Sequence, residues 1–417
     1  MKILFFSPVP TDPAGAGNRV RIGTLTAAVQ QAGHEVHFAY LAMEPADLEA
    51  MAARFGEQRL HVIAPSDNRS TLARSASTLA RRAARALRME CGYTWELDAW
   101  YHPDYSAFLA DLQERHGFHA VVVEYVFMSR AFEVFPDPCR RILDTHDRFG
   151  LRHREFIAAG MKPQWFSTSM AEEERGFRRA HALLAIQEIE AGNFRRRLEG
   201  HQTQVVQVGH LIELHEPPCR ATAHSAVFVG SDNPINTVGA NHFVAQVMPR
   251  IRERLPDFQF IVAGTASNAV SDAPGVVKLG FVDRLQDAFA RGAIAVNPVL
   301  MGTGVNIKLL DALASALPCV STESGARGLD QYRDTAVTVV ADDDIDGFAA
   351  QVLRLLTDAD AAERMSEAAR RAAEDWNRNQ LRSLDAVLET STRSGATAGE
   401  RRSQSAALTQ LTVTGAN

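Results

Sequence analysis

Cysteine is scarce. Cys91, Cys139, Cys219 and Cys319 are the only four in 417 residues, they lie far apart, and none forms a C-x-x-C pair. No histidine spacing suits zinc either, so the chain reads as a reduced, cytoplasmic protein without a disulfide framework or structural metal. Long apolar runs are also missing. The run 3–6 is too short for a signal-peptide core and is followed at once by Pro8 and Pro10. No other stretch approaches the roughly 18 to 20 apolar residues of a membrane span. A cationic surplus is absent as well: the net charge of -6 argues against a dedicated nucleic-acid binder, whose affinity rests on clustered Lys and Arg. What remains is ordinary for a soluble globular chain, with 46% hydrophobic and 23% charged residues. The length exceeds what one ordinary core accommodates and predicts two domains.

Short apolar runs alternate with amphipathic stretches, the mark of parallel α/β construction. Strands are expected over 3–7, 34–41, 120–125, 141–144, 183–187 and 205–208, with a helix over 19–31 stopped by Gly33. Residues 211–225 contain Pro217-Pro218 and little periodicity, and read as a linker. The pattern then restarts, with strands over 226–229, 258–263, 276–279, 293–297 and 319–321 and a helix over 241–254. A last helical region spans 345–388. The expectation is therefore a domain over 1–210, a linker over 211–225, a second domain over 226–390 and a tail over 391–417. That tail is rich in Ser, Thr, Gly and Ala and reads as disordered. Both domains are doubly wound and Rossmann-like, which collects ligands at the carboxyl ends of the strands.

The first strand runs into Gly15-Ala16-Gly17, but the next glycine is Gly23, so the G-x-G-x-x-G spacing fails. The second strand ends without an acid to grip a ribose, which disfavours a dinucleotide enzyme. Gly15 and Gly17 either let an anion approach the N–H groups of a helix start or are merely a flexible connection. In the second half, Gly302-Thr303-Gly304-Val305-Asn306-Ile307-Lys308-Leu309-Leu310-Asp311 follows the strand end Asn297-Pro298. Lys308 and Asp311 share one face near the start of a helix. The cation and free N–H groups suit a diphosphate, and the carboxylate suits ribose hydroxyls. The competing reading is an ordinary surface Lys–Asp pair. Asp144-Thr145-His146-Asp147 places His146 and Asp147 just beyond a strand end, and Glu124 closes another strand, facing either an acceptor or solvent.

One amphipathic stretch, 72–88, carries Arg74, Arg81, Arg85 and Arg88 on one face. It reads either as a solvated helix face or as an interfacial helix on an anionic membrane. Tyr93, Trp95, Trp100 and Tyr101 follow and could dock an acceptor or the membrane interface.

From Ser225 to Leu329 the chain resembles the C-terminal domain of the glycosyltransferase group 1 family, retaining enzymes of the GT-B fold. The resemblance rests on Phe228-Val229-Gly230-Ser231, Phe260-Ile261-Val262-Ala263-Gly264, Leu279-Gly280-Phe281-Val282, Asn297-Pro298 through Pro318-Cys319-Val320, and Gly325-Ala326-Arg327-Gly328-Leu329. The N-terminal half is similar more loosely, through 7–17 and the Asp144 to Asp147 segment. The resemblance implies a GT-B fold, two Rossmann-like domains facing a cleft, and metal-independent transfer of a hexose-like sugar. The sugar would pass from a nucleotide-sugar donor to a saccharide, lipid-linked or other hydroxyl acceptor, with retained configuration, in polysaccharide or glycoconjugate biosynthesis. It implies donor contacts at Gly15, Gly17, Gly230, Gly280, Phe281, Gly302, Gly304, Lys308 and Asp311, with Asp311 at the family's ribose-gripping glutamate. His146 would lie beside the transferred sugar, and Glu124 and Asp147 on the acceptor side. Thr303 occupies the position of the family's other glutamate. The usual Arg/Lys pair is replaced by Ser231-Asp232-Asn233-Pro234-Ile235-Asn236, without a cation. These departures keep two alternatives open: a nucleotide-sugar epimerase of the same fold and a non-catalytic nucleotide-sugar-binding protein. No cofactor or metal is implied, the nucleotide sugar being a substrate. The absence of a signal-peptide core or membrane span leaves a cytoplasmic protein as the expectation, with residues 72–88 as the candidate contact on the inner membrane face.

Overall fold

The computed structural model describes residues 1–14, 16–66, 71–87, 89–158, 162–163, 165–215, 224–282, 284–301 and 305–389. The chain divides into two compact units, one comprising Met1–His210 with the chain from Gln380 onward, the other Leu211–Asn379.

The first unit holds seven strands: β1 (Lys2–Ser7), β2 (Glu35–Leu41), β3 (Leu60–Ile63), β4 (Ala120–Glu124), β5 (Arg140–Asp144), β6 (Ala182–Ala185) and β7 (Gln204–Gln207). All pair in parallel in the order β3-β2-β1-β4-β5-β6-β7. The order reverses between β1 and β4, the switch point at which an open α/β sheet leaves room for a ligand. Near-continuous apolar strands such as Ala120-Val121-Val122-Val123 are buried along their length, as sheets covered on both faces require. Strand β3 and the helix Pro103–His116 escaped the sequence reading. β3 has only four residues, one of them an exposed valine, Val62.

The second unit holds six strands: β8 (Ser225–Val229), β9 (Gln259–Ala263), β10 (Val276–Gly280), β11 (Ile294–Asn297), β12 (Cys319–Thr322) and β13 (Val337–Val340). Their order is β10-β9-β8-β11-β12-β13, again all parallel. Alternation along β8 explains its two-sided burial. Ala226 and Phe228 join one core, with Phe243, Ile251 and Phe348, and Val227 joins the other, with Leu310, Leu313 and Trp376.

The long helical region resolves into two helices, Ile345–Thr357 and Ala359–Glu389. Trp376 belongs to a core of the second unit, whereas Leu384, Val387 and Leu388 belong to that of the first. The second unit thus ends at Asn379 rather than at the close of the helix. A side-chain amide marks the change, since Gln380 Oε1 accepts from the Gly209 N–H at 2.6 Å. The expected tail 391–417 lies outside the described residues, as does 216–223 of the expected linker.

Candidate active site

Parallel pairing sets Glu124 directly beside Asp144, at the carboxyl ends of β4 and β5, and both are fully buried. Two neighbouring carboxylates in an apolar setting cannot both stay charged without compensation. Asp144 receives it. Arg21, 1% exposed, donates from Nε to Oδ2 and from Nη2 to Oδ1, each at 2.8 Å. Burial opposes ionisation of Asp144, but Arg21 and then His146 hold its carboxyl below the ordinary 3.8. Glu124 is left to answer the other way. Burial, then the Asp144 charge, push it up to about 7 against the opposing contact with His146. His146 Nε2 lies 2.6 Å from Glu124 Oε2. The result is a buried glutamic acid poised near neutrality beside an imidazole, the condition that general acid–base chemistry needs.

The backbone works to hold this pair. Tyr125 and His146 both sit at positive φ, 72° and 58°, a strained choice for such side chains. Their rings stack at 4.1 Å, and the Tyr125 hydroxyl accepts from Asn18 Nδ2 at 3.0 Å. Trp165, 45% exposed, lies 5.2 Å from the Tyr125 ring and leaves an aromatic surface open beside it. Glu190, with Oε2 buried and unpartnered among the described residues, is raised to about 7 by burial and then by Asp147.

Several expectations change here. Glu124 is no solvated strand end. Asp147 is engaged by Arg152 at 2.9 Å and by the Arg148 N–H, and its side chain remains 43% exposed. Gly17 opens the helix Gly17–Gln31, whose N-cap residue Ala16 makes no side-chain cap bond; in its first turn the Arg19 N–H is taken by Asn18 Oδ1 at 3.0 Å. Gly15 lies outside the described residues. The aromatic group after residue 92 is largely inward: Trp100 packs edge-on to Phe127 and Phe166, and Tyr101 is buried. Arg81 stacks on Trp95 at 3.6 Å and donates to the Thr94 carbonyl, while Arg85 donates to that of Gly92. Two arginines of the basic stripe are therefore tied to their own chain. Arg88 and the side chain of Arg74 lie outside the described residues.

In the second unit, the helix Pro234–His242 follows β8 and begins at the N-cap Asn233. Asn236 donates through Nδ2 to the Ser231 carbonyl at 2.9 Å, which turns its Oδ1 toward Lys308. Lys308 Nζ donates to that oxygen at 2.5 Å and lies 5.5 Å from the Phe228 ring centroid. Burial lowers Lys308 to about 8 and raises Asp311 to about 7, and no opposing charge among the described residues acts on either. The surface Lys–Asp pair is thereby overturned. Both groups are partly desolvated on the helix Ile307–Ala314 without neutralising each other, and its N-cap Asn306 makes no side-chain cap bond. The Nε of Arg327 is also buried without a hydrogen-bond partner among the described residues.

Close backbone approach surrounds this site. A Cβ on Gly264, at φ +84°, would meet the Gly230 carbonyl oxygen at 2.3 Å. Gly230 therefore needs its glycine neighbour as much as its own lack of side chain. Gly280 ends β10 at φ +72° with open space above it, and Phe281 is 72% exposed. Gly302, Thr303 and Gly304 lie outside the described residues.

Arg21, Asn18, Asn236, Trp165 and Glu190 escaped the sequence reading. Arg21 had a signal, a cation beside Ile22 and four residues before Leu25; the others had none. As to metals, Glu124, Asp144 and His146 offer ligand atoms within 4.8 Å of one another. Arg21 already occupies both Asp144 oxygens, so the geometry is that of a proton-sharing network.

The two parallel sheets define the GT-B class of glycosyltransferase folds. The pneumococcal O-GlcNAc transferase GtfA, solved in complex with UDP and GlcNAc, is similar at TM-score 0.60 and 10% identity, over 94% of this chain and 99% of that one. Sucrose-phosphate synthase from Thermosynechococcus elongatus is similar at TM-score 0.62 and 14% identity, over 94% and 100%. An uncharacterized 44.6 kDa protein in the cps region of Klebsiella pneumoniae is 28% identical over 134 residues, 29% of this chain and 34% of that protein. The match thus spans about a third of that relative's length. Residues 223–358 match the family model of glycosyl transferases group 1. Among the described residues, no helix is long and apolar enough to cross a membrane.

Proposed function

We propose that the chain is a glycosyltransferase that moves a sugar from a nucleotide-sugar donor to a hydroxyl acceptor with retained anomeric configuration. The observation that carries this reading is the pair Lys308 and Asp311. Both are drawn out of water and neither is neutralised by the other. Such groups cost stability unless a ligand completes them. A diphosphate completes the ammonium and a ribose diol completes the carboxylate. Asn236 takes the place of the absent Arg/Lys pair by positioning Lys308 instead of adding charge, and Arg327 is a second candidate for phosphate. Gly280, with open space above it, would let the diphosphate approach the backbone closely. The exposed Phe281 completes the donor contacts within the second unit. Thr303, in place of a carboxylate, would offer a hydroxyl to the transferred sugar.

In this reading His146 orients the transferred sugar while Glu124 holds its imidazole. Trp165 presents a flat apolar face of the kind sugar rings stack on. The rate comes from positioning and from stabilising charge on the departing diphosphate, and no step calls for a metal. UDP in the pneumococcal relative makes uridine nucleotides the first donors to test. Incubation with a panel of UDP-sugars and candidate acceptors should release nucleoside diphosphate only when an acceptor is present, with the product anomer matching the donor's. Donor interconversion without an acceptor would instead establish an epimerase, and tight donor binding without turnover a binding protein.

A further inference from the structure

Far along the sequence from one another, His37, His61 and His116 converge in the first unit. They come from β2, from β3 and from the last turn of the helix Pro103–His116. One ring nitrogen of each lies within 4.8 Å of those of the other two. His37 Nδ1 and His61 Nε2 are 3.0 Å apart, and the Nε2 of His116 is buried without a hydrogen-bond partner among the described residues. We propose that these three imidazoles bind one divalent transition-metal ion of the zinc class.

The second shell supports this assignment. Glu35 Oε1 lies 2.9 Å from His37 Nε2, so His37 donates there and Nδ1 keeps its lone pair for a metal. A carboxylate behind a ligating imidazole is the arrangement that fixes tautomer and ring direction in zinc sites. His37 is 2% exposed, and Phe118 packs edge-on against it at 5.1 Å, so its ring is immobilised. Metal–nitrogen bonds of about 2.0 to 2.1 Å in tetrahedral geometry place ligand nitrogens roughly 3.3 Å apart. The 3.0 Å contact already comes close to that spacing, and His116, within 4.8 Å of both, would move in to close the third side. Three imidazoles favour zinc, copper, nickel or cobalt over magnesium or calcium, and the fourth position falls to water.

The cluster is separate from the candidate active site. His37 pairs with Leu4 in the amino half of the strands, whereas Glu124 and Asp144 end theirs. An ion there would join the edge strand β3, its neighbour β2 and a helix end, a structural staple for the sheet that carries Glu124.

Zinc chloride titrated into the untagged, chelator-stripped full chain should bind at one equivalent and raise Tm, since a ligand of the folded state stabilises it. Cobalt(II) in its place should give the strong visible bands of a tetrahedral site. His61→Ala and His116→Gln, at the two partly exposed positions, should each abolish the stoichiometric ion and the cobalt bands while the metal-free Tm stays near wild type. Glu35→Gln should keep one equivalent but weaken it by about 10- to 100-fold. His119→Gln, just outside the cluster, should change nothing. Failure of the folded wild-type chain to take up an equivalent of zinc, or full uptake by both His61→Ala and His116→Gln, would overturn the assignment. If sugar transfer is absent but the zinc results hold, the staple stands and the proposed function fails alone.

Discussion

The pair Arg21–Asp144 offers the sharpest test of how the first unit holds Glu124 and His146 in place. Both side chains are at most 1% exposed and meet through two bonds of 2.8 Å. Asp144→Asn keeps the shape but leaves a buried guanidinium without its anion. Breaking a buried pair in this way costs about 3 to 5 kcal/mol. For a unit of this size, at roughly 2 to 4 °C per kcal/mol, that lowers Tm by about 6 to 20 °C. Part of the loss should return through Glu124, since removing the Asp144 charge relieves one cause of its raised pKa and leaves Arg21 free to attract it. The double change Arg21→Met with Asp144→Leu should therefore cost much less than the sum of the singles. Urea denaturation followed by tryptophan fluorescence is suited to this, because Trp95, Trp100 and Trp165 all report on the first unit. The folded Asp144 carboxyl lies below its ordinary 3.8, so the pair's stabilisation is complete above that value and disappears as pH falls through the folded one. A cost below about 1 kcal/mol for Asp144→Asn, or strict additivity in the double change, would refute the reasoning.

Three further outcomes follow from the same geometry. His146→Ala should lower the transfer rate by about 10²- to 10⁴-fold while leaving the affinity for free UDP unchanged; equal losses in both would place His146 in nucleotide binding instead. Affinity for UDP should fall by about tenfold per pH unit above pH 8, where Lys308 loses its proton, and Lys308→Arg should flatten that decline; a profile flat from pH 7 to 9.5 in the wild type would exclude Lys308 as the phosphate cation. Trp165→Ala should raise the acceptor KM by roughly 2- to 12-fold, the worth of one aromatic contact, with kcat and donor KM little changed; an unaltered acceptor KM would remove Trp165 from the site.

The doubly wound strands were legible because apolar runs buried on both faces are written in consecutive residues, as in Ala120 to Val123 and Phe260 to Ala263. The glycine loops were legible too, since only glycine tolerates contacts such as that between Gly264 and the Gly230 carbonyl. Lys308, Asp311 and His146 could be picked out by their place at element ends. What escaped was everything set by strand order. Arg21 meets Asp144 across 123 positions, and Lys308 meets Asn236 across 72. His37, His61 and His116 show no metal spacing because three separate elements supply them. Burial was misjudged for the same reason: a strand-end glutamate looks solvated until its neighbour across the sheet is known.

The central claim, that the second unit grips a nucleotide through Lys308 and Asp311, is tested most directly by fragment titration. Isothermal titration of wild type, Lys308→Ala and Asp311→Ala with UDP and with uridine should separate the two contacts. Loss of a charge-assisted hydrogen bond costs about 1.5 to 3 kcal/mol, or roughly ten- to more than a hundredfold in affinity. Lys308→Ala should show that loss with UDP and none with uridine, because its partner is phosphate. Asp311→Ala should show it with both, because its partner is ribose. Unchanged affinity of both variants for UDP, at unchanged Tm, would contradict the account at its base.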